Sequence, residues 1–478
     1  MTFSKSTFIA ASSALLIVFG ALAPARAAPS IVVDVASGAV LSHDQATASW
    51  YPASLTKLMT AYVALDAVRQ GRISLDTPVM MSPRACRMAP SKMGFRPGSE
   101  VTLHNALVML MVKSANDIAA AIAEGVSGSI EAFADEMNRA SASLGMTQSV
   151  WVNPNGLPDD RQVTSARDLA ILGRALYVQF PEHANLFNIG AMQLGRQIIP
   201  THNQMLGRYP GADGMKTGFT CPAGFNLVAS ATRGGRRLIA VVLGAPNPML
   251  RTAKTAALLD RGFQSGAALA SLSSLPNTGP TAAPDMREAV CHHRGPAAAQ
   301  FLAEIEEASA PVGSATGIPL LDTMSGAQQQ PHMNAKEVAR LPRPRYEAVS
   351  VYVGRAPGYI GPVARTRAPG APVGEQDDLA AYASQSEPGD ADASPISKPA
   401  PDAVSLRRAR AAKHAKAVKA ARAAKAEEAK VQVIEAEPAV KPKATKHAAK
   451  PKTAAPPAEV QKRAVAPKTR AAPEQGKS

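Results

Sequence analysis

Within "PASLTKLMT", residues 52–60, a serine hydroxyl and a lysine amine stand three positions apart at the start of an apolar, helix-like run. Residues at this spacing share one face of a helix, so the Lys57 amine can reach the Ser54 hydroxyl. A hydroxyl held beside an amine is a nucleophile held beside its base. The plainer reading is a helix start, with Ser54 as cap and Leu55, Leu58 and Met59 packing inward. Ser-x-x-Lys arises by composition roughly once in a chain this long, so the pair alone does not decide. Two more clusters carry usable chemistry. "KSAND" offers Ser114 and Asn116, and "MKTGFT" offers Lys216, Thr217 and Gly218. Each has an ordinary alternative: Asn116 could cap a helix, Lys216 and Thr217 could be strand residues, and Gly218 could admit a neighbouring strand.

The surrounding pattern predicts the elements that would position these groups. "SIVVDVASGAVLSHD" reads as two strands around Ser37-Gly38, and a helix is expected from Ser54 to near Gly71. "TLHNALVMLMVKSANDIAAAIAEGV" reads as two helices with "KSAN" at their junction. "SIEAFADEMNRASASLG" and "TSARDLAILGRALYVQF" are further helices, the second capped by Thr164 or Ser165. The period then becomes that of strands. "GMKTGFT" and "GFNLVASATRGGRRLIAVVLGA" predict three antiparallel strands, and "RTAKTAALLDRGF" a closing helix. Strands at both ends with helices between predict a mixed domain over residues 29–265, its sheet assembled from the two ends.

The 478 residues carry a net charge of +15, but the excess is local. From Pro401 to Ser478 there are 19 Lys/Arg against 7 Asp/Glu, which is +12 of that total. Residues 1–27 read as an export signal, with Lys5 before an apolar run and small residues ahead of cleavage after Ala27; an uncleaved anchor is the alternative. The expected location is therefore the periplasm or cell envelope, which removes nucleic acid as a partner of the basic tail. Residues 266–370 are expected to be linker with little regular structure, although "AAAQFLAEIEEAS" could form a helix and "YEAVSVYVG" a strand. Residues 371–478 have the Ala/Lys/Pro-rich composition of disorder, and their charge suggests weak contact with anionic envelope surfaces. Three cysteines, Cys86, Cys221 and Cys291, allow one disulfide and one free thiol in an oxidising compartment, with the pairing open. Their spacing fits no zinc framework, so neither a metal nor another cofactor is expected.

Ser-x-x-Lys, Ser-x-Asn and Lys-Thr-Gly in that order form the signature of the serine penicillin-recognising enzymes. With "NPNGL", "FADEMNRASASLGM" and "PGADGMKTGFT", residues 29–265 resemble the D-alanyl-D-alanine carboxypeptidases of peptidase family S11. The resemblance implies an α/β (α+β) fold of the β-lactamase/transpeptidase type, a five-stranded antiparallel sheet flanked by helices. It implies Ser54 as nucleophile, Lys57 as its base, Ser114 as proton relay and Asn116 as holder of the substrate amide. Lys216, Thr217 and Arg251 would face the substrate's terminal carboxylate, while the N–H groups of Ser54 and Phe219, beside Gly218, would take the oxyanion. The implied partners are peptidoglycan stem peptides, with β-lactams as inhibitors. A D,D-endopeptidase would use the same set, and a non-catalytic wall or membrane tether is a third reading. The stretch after "NPNGL" lacks the Glu-x-x-x-Asn pattern of a class A β-lactamase. Ala115 stands where the family commonly has glycine, and His202 where its members carry an arginine near the substrate.

Overall fold

The structure is a computed structural model that describes residues 28–265, 268–310 and 335–367, all within one compact unit. The expected export signal and the basic tail, 371–478, lie outside the described residues. Strands β1 (Ser30–Asp34) and β2 (Ala39–Asp44) form the hairpin expected around Ser37-Gly38. A single 3₁₀ turn, Ala53–Leu55, then delivers the chain into α1 (Thr56–Arg69). The helical portion continues through β3 (Pro78–Met80), α2 (Pro83–Arg87), β4 (Glu100–Thr102), α3 (Leu103–Val112) and α4 (Asn116–Ser127). It closes with α5 (Ile130–Leu144) and α6 (Ala166–Gln179). Side chains of Ser82, Thr102, Ser129 and Ser165 each accept an N–H from the first turn of the helix they precede, satisfying donors that the helix cannot.

A small hairpin, β5 (Ala191–Leu194) and β6 (Gln197–Pro200), precedes three long strands, β7 (Ala212–Thr220), β8 (Gly224–Arg233) and β9 (Arg236–Ala245). Helix α7 (Pro248–Gln264) follows, and then the two-residue strand β10 (Ala270–Ser271). The main sheet runs β10-β2-β1-β9-β8-β7, antiparallel throughout. Its five long strands are those expected, with β1 beside β9 joining the two ends of the domain; β10 adds a short sixth at the β2 edge.

Side chains two apart in a strand share a face, and β9 shows the consequence. Ile239, Val241 and Leu243 enter a core with the buried faces of α1, α3, α4, α5 and α6. Leu238, Ala240 and Val242 enter a second core on the other side, with Ala253, Ala256 and Leu259 of α7. A sheet covered on both faces reads as a continuous apolar run, which is what "RLIAVVLGA" is.

The described residues of 266–370 depart from the expected linker. Helix α8 (Arg294–Ser309) lays Phe301, Ile305 and Ala308 on the second core, beside Ala335, Val338 and Ala339 of α9 (Ala335–Arg340). The buried Lys254 donates to Glu304 at 2.5 Å and also lies over the Phe301 ring. Strand β11 (Ala348–Val351) pairs in parallel with β5. These segments need no core of their own, because the outward side of α7 and the edge of β5 supply one. A disulfide joins Cys221 to Cys291, tying the end of β7 to the segment before α8, and Cys86 is the free thiol.

Inside α4, Glu124 is buried with Oε2 unpartnered among the described residues. Burial, only partly opposed by the Ser82 hydroxyl and the Arg84 charge, pushes its carboxyl up to about 7. A carboxyl raised above its unfolded value is a stability loss that grows as pH climbs from about 4.5 to about 7 and stays constant beyond. Glu124→Gln is therefore expected to stabilise the protein at pH 8 by up to about 3 kcal/mol and to leave it unchanged at pH 4. Thermal denaturation at the two pH values checks this.

Candidate active site

Ser54 sits in the 3₁₀ turn ahead of α1, half-buried, while Lys57 one turn on is fully enclosed. Lys57 Nζ lies 3.0 Å from Ser54 Oγ, 2.8 Å from Asn116 Oδ1 and 2.5 Å from the Asn155 carbonyl. Two of the three partners are carbonyl oxygens, which accept only. A neutral amine has two N–H groups for them and one lone pair left for a hydroxyl. Burial, followed by the nearby charge of Lys216, holds the Lys57 amine well below its ordinary range, with Asp117 opposing weakly. The arrangement is that of a base aimed at a hydroxyl.

The second cluster lies at the α3–α4 corner. Ser114 adopts a φ of 61°, a left-handed conformation that a non-glycine residue holds only where its surroundings impose it. Its hydroxyl accepts from Lys216 Nζ at 3.0 Å, and the same amine donates to the Thr217 carbonyl at 2.9 Å. Burial, with Arg251 adding repulsion, brings the Lys216 amine down to about 7. Asn116 begins α4 without capping it; its side chain bridges Lys57 and the Ala89 carbonyl, to which its Nδ2 donates at 2.8 Å. The carboxylate of Asp117 accepts from the Met93 and Gly94 amides and so fixes the loop beside this corner.

Strand β7 brings the third cluster against Ser54. A Cβ on Gly218 would lie 2.9 Å from the Pro52 carbonyl and 3.2 Å from the Ser54 nitrogen, so only glycine lets β7 approach this closely. The next residue, Phe219, is exposed and stacks on Phe225 across the strand pair, with centroids 4.1 Å apart. Arg251 is buried at the start of α7, with Nη1 3.4 Å from the Asn226 carbonyl. Burial lowers it to about 10, and its Nε has no partner among the described residues. Its charge nevertheless reaches Lys216 and His202. The His202 ring has an exposed edge, yet the protein around it strips hydration, and four neighbouring cations hold it down at about 4.

Sequence reasoning assigned no role to Asn155, Gly156 or Asn226. The loop "NPNGL" braces the catalytic turn from below: the Pro154 carbonyl accepts from Thr60 Oγ1, the Asn155 carbonyl from Lys57, and Asn153 Oδ1 from the Gly156 amide. Asn226 Nδ2 donates to the Tyr51 carbonyl at 3.0 Å, tying β8 to the residues before Ser54. The only sequence trace of these roles is an Asn-Gly pair, which reads as any turn.

The family model for D-alanyl-D-alanine carboxypeptidases, peptidase family S11, matches residues 20–247. D-alanyl-D-alanine carboxypeptidase DacC of Escherichia coli is 37% identical over 273 residues, spanning 54% of this chain and 68% of that protein. This chain belongs to the S11 D-alanyl-D-alanine carboxypeptidase family. D-alanyl-D-alanine carboxypeptidase DacA of Haemophilus influenzae is 35% identical over 268 residues, 54% of this chain and 68% of its own length. Among solved structures, the carboxypeptidase DacD from Francisella tularensis shows 28% identity and a TM-score of 0.48, covering 54% of this chain and 73% of that one.

For this S11 member, the brace beneath Ser54 gives a direct test. Gly156 has φ of +80°, and a Cβ there would lie 1.8 Å from the Ala53 carbonyl oxygen. Gly156→Ala must displace the nucleophile turn, and a shift of about 1 Å lowers the rate of Ser54 acylation roughly 100-fold. Stopped-flow acylation by a fluorescent penicillin, with circular dichroism to confirm folding, measures the loss.

Proposed function

We propose that this chain is a serine-type D-Ala-D-Ala carboxypeptidase that removes the terminal D-alanine from peptidoglycan stem pentapeptides. The observation that carries the proposal is the enclosed Lys57 amine, 3.0 Å from Ser54 Oγ and otherwise donating to two carbonyls. Ser54 Oγ attacks the carbonyl carbon of the penultimate D-alanine while its proton passes to Lys57. The oxyanion rests against the N–H groups of Ser54 and Phe219, which the Gly218 approach brings together. As the peptide bond breaks, the Ser114 hydroxyl relays to the departing amine the proton that Lys57 took from Ser54, which returns Lys57 to its neutral form. Water then hydrolyses the ester, with Lys57 again as base. Asn116 holds the substrate amide, and Lys216 and Thr217 meet the terminal carboxylate, with Arg251 adding positive potential from behind.

A β-lactam presents the same carbonyl and carboxylate, so ring opening by Ser54 leaves an acyl-enzyme that lacks a ready route to hydrolysis. Peptidoglycan lies outside the cytoplasm, consistent with the export signal read in residues 1–27. The finer suggestion, that residues 371–478 adhere weakly to anionic envelope surfaces, rests on their charge alone.

Incubation of the mature protein and its Ser54→Ala form with a muropeptide ending in D-Ala-D-Ala, followed by mass spectrometry, tests the reading. Loss of one D-alanine with the native form only is expected; cleavage of cross-linked dimers without D-alanine release would make it an endopeptidase instead. The pH dependence follows from the two amines. Activity rises with pH as Lys57 loses its proton and falls as Lys216 loses its own, near 7 in the free enzyme. A bound carboxylate favours charged Lys216, so the alkaline limb should lie higher in kcat than in kcat/KM. Lys216→Arg should move that limb upward, which steady-state kinetics across pH will show.

A further inference from the structure

The segment after α2, residues 88–94, is tied to both residues whose carbonyl oxygens hold the Lys57 amine. The Ala89 carbonyl accepts from Asn116 Nδ2 at 2.8 Å, and the Ser91 carbonyl accepts from the Asn116 amide at 2.7 Å. Ser91 Oγ donates to the Lys113 carbonyl at 3.0 Å, one residue before Ser114. On the other side the tie is a sulfur: Asn155 Nδ2 donates to Met88 Sδ at 3.5 Å. Asn155 Oδ1 accepts from the Leu157 amide at 3.0 Å, so both ends of this side chain are engaged. Direct contacts therefore run from Met88 Sδ through Asn155 to Lys57 Nζ and on to Ser54 Oγ.

A thioether is a weak acceptor, and it is the one acceptor that Asn155 Nδ2 has among the described residues. Asn155 is buried, so losing that partner is costly. Met88 packs on the larger core but is only half-buried, whereas Met59, Met81, Met109, Met137 and Met192 are enclosed. The sulfur that braces the residue behind the base is thus also open to small solutes.

We propose that Met88 is a modification site, oxidised by peroxide to the sulfoxide, and that this oxidation slows acylation of Ser54. Its effect rests on the reading of Lys57 as the base for Ser54, and deepens that reading by adding a control on the base. A sulfur lone pair attacks one peroxide oxygen, so that the S–O bond forms as the O–O bond breaks. The proton of the transferred oxygen moves to the departing one, which leaves as water; sulfur gives up the two electrons that peroxide gains. The product is polar, chiral and larger by one oxygen. An added polar atom in a packed wall must find room and a partner, so Met88 withdraws towards solvent or takes Asn155 with it. Either movement disturbs the Asn155 carbonyl that sits 2.5 Å from Lys57 Nζ. A displacement of about 1 Å there lowers the rate by as much as about 100-fold.

The test uses the full mature protein carrying Cys86→Ser, which removes the free thiol as a competing target. Samples treated briefly with hydrogen peroxide are divided between mass spectrometry of each methionine and stopped-flow acylation by a fluorescent penicillin. Conversion of Met88 should lower the limiting acylation rate at least about tenfold, with the dissociation constant of the initial penicillin complex within about twofold. Met88→Gln, which puts a polar group there permanently, should be slow before any treatment. Met88→Leu should keep after peroxide whatever rate it has before. Full conversion of Met88 with an unchanged acylation rate overturns the proposal. So does a Met88→Leu form that loses as much to peroxide as its parent, which would place the damage elsewhere, or a Met88 that stays unoxidised while the exposed Met249 converts. A rate loss that merely tracks loss of the circular-dichroism signal also overturns it, since that is unfolding and not a displaced base. Failure of the underlying reading looks different: the untreated protein would then take up no penicillin on Ser54.

Discussion

The structure is organised around one constraint, a lysine amine enclosed by protein and required to be neutral beside a serine hydroxyl. A buried ammonium without a counter-charge is unstable by several kcal/mol, which draws the amine's pKa down and favours the neutral form, the form that can accept a proton. Lys57 meets that condition because its partners are a hydroxyl and two carbonyl oxygens, and because the nearest strong influence is another cation, Lys216. The three partners come from three places in the chain: the turn before α1, the first residue of α4, and the "NPNGL" loop.

The rest of the fold can be understood as what brings those places together. Helices α1 and α4 are buried on nearly every side, so their ends are fixed by packing in the larger core. The left-handed residues Ala53 and Ser114 sit immediately before the nucleophile and at the α3–α4 corner, where conformations costing about 1–2 kcal/mol each are held in place by those helices. On the other side, β7 presses its glycine against the nucleophile turn while the disulfide from Cys221 to Cys291 secures the end of the strand. The half-buried thiol at Cys86 directs its hydrogen to the Phe95 carbonyl, and burial raises its pKa.

Much of this was legible in the sequence because it was written in side-chain identity and short-range period. Ser54, Lys57, Ser114, Asn116 and Lys216 are chemically distinctive, and the helix junction at "KSAN" and the strands of the "RGG" hairpin follow from local pattern. The Asn155 contact was not legible, since a backbone carbonyl belongs to every residue type. Gly156 was hidden for the opposite reason, being a glycine in a sequence that already reads as a turn. Helix α8 carries one thin apolar stripe, Phe301, Ile305 and Ala308, and only the far side of α7 shows what it packs on. Arg251 was named through the family pattern, but its enclosure at the start of α7 depends on tertiary placement and not on the residue itself. The cysteine pairing spans 70 residues and likewise depends on tertiary placement.

The ionisation of Lys57 is the claim on which the account stands, and it can be observed without turnover. Protein labelled with ¹³C at the lysine ε-carbons, compared with its Lys57→Arg form to assign the signal, can be titrated by NMR from pH 5 to 11. A Lys57 resonance that reaches its neutral position at a pH well below that at which the other lysines titrate is the predicted result. A resonance that stays in the ammonium position until pH 10 or above would contradict it, leaving Ser54 without a base.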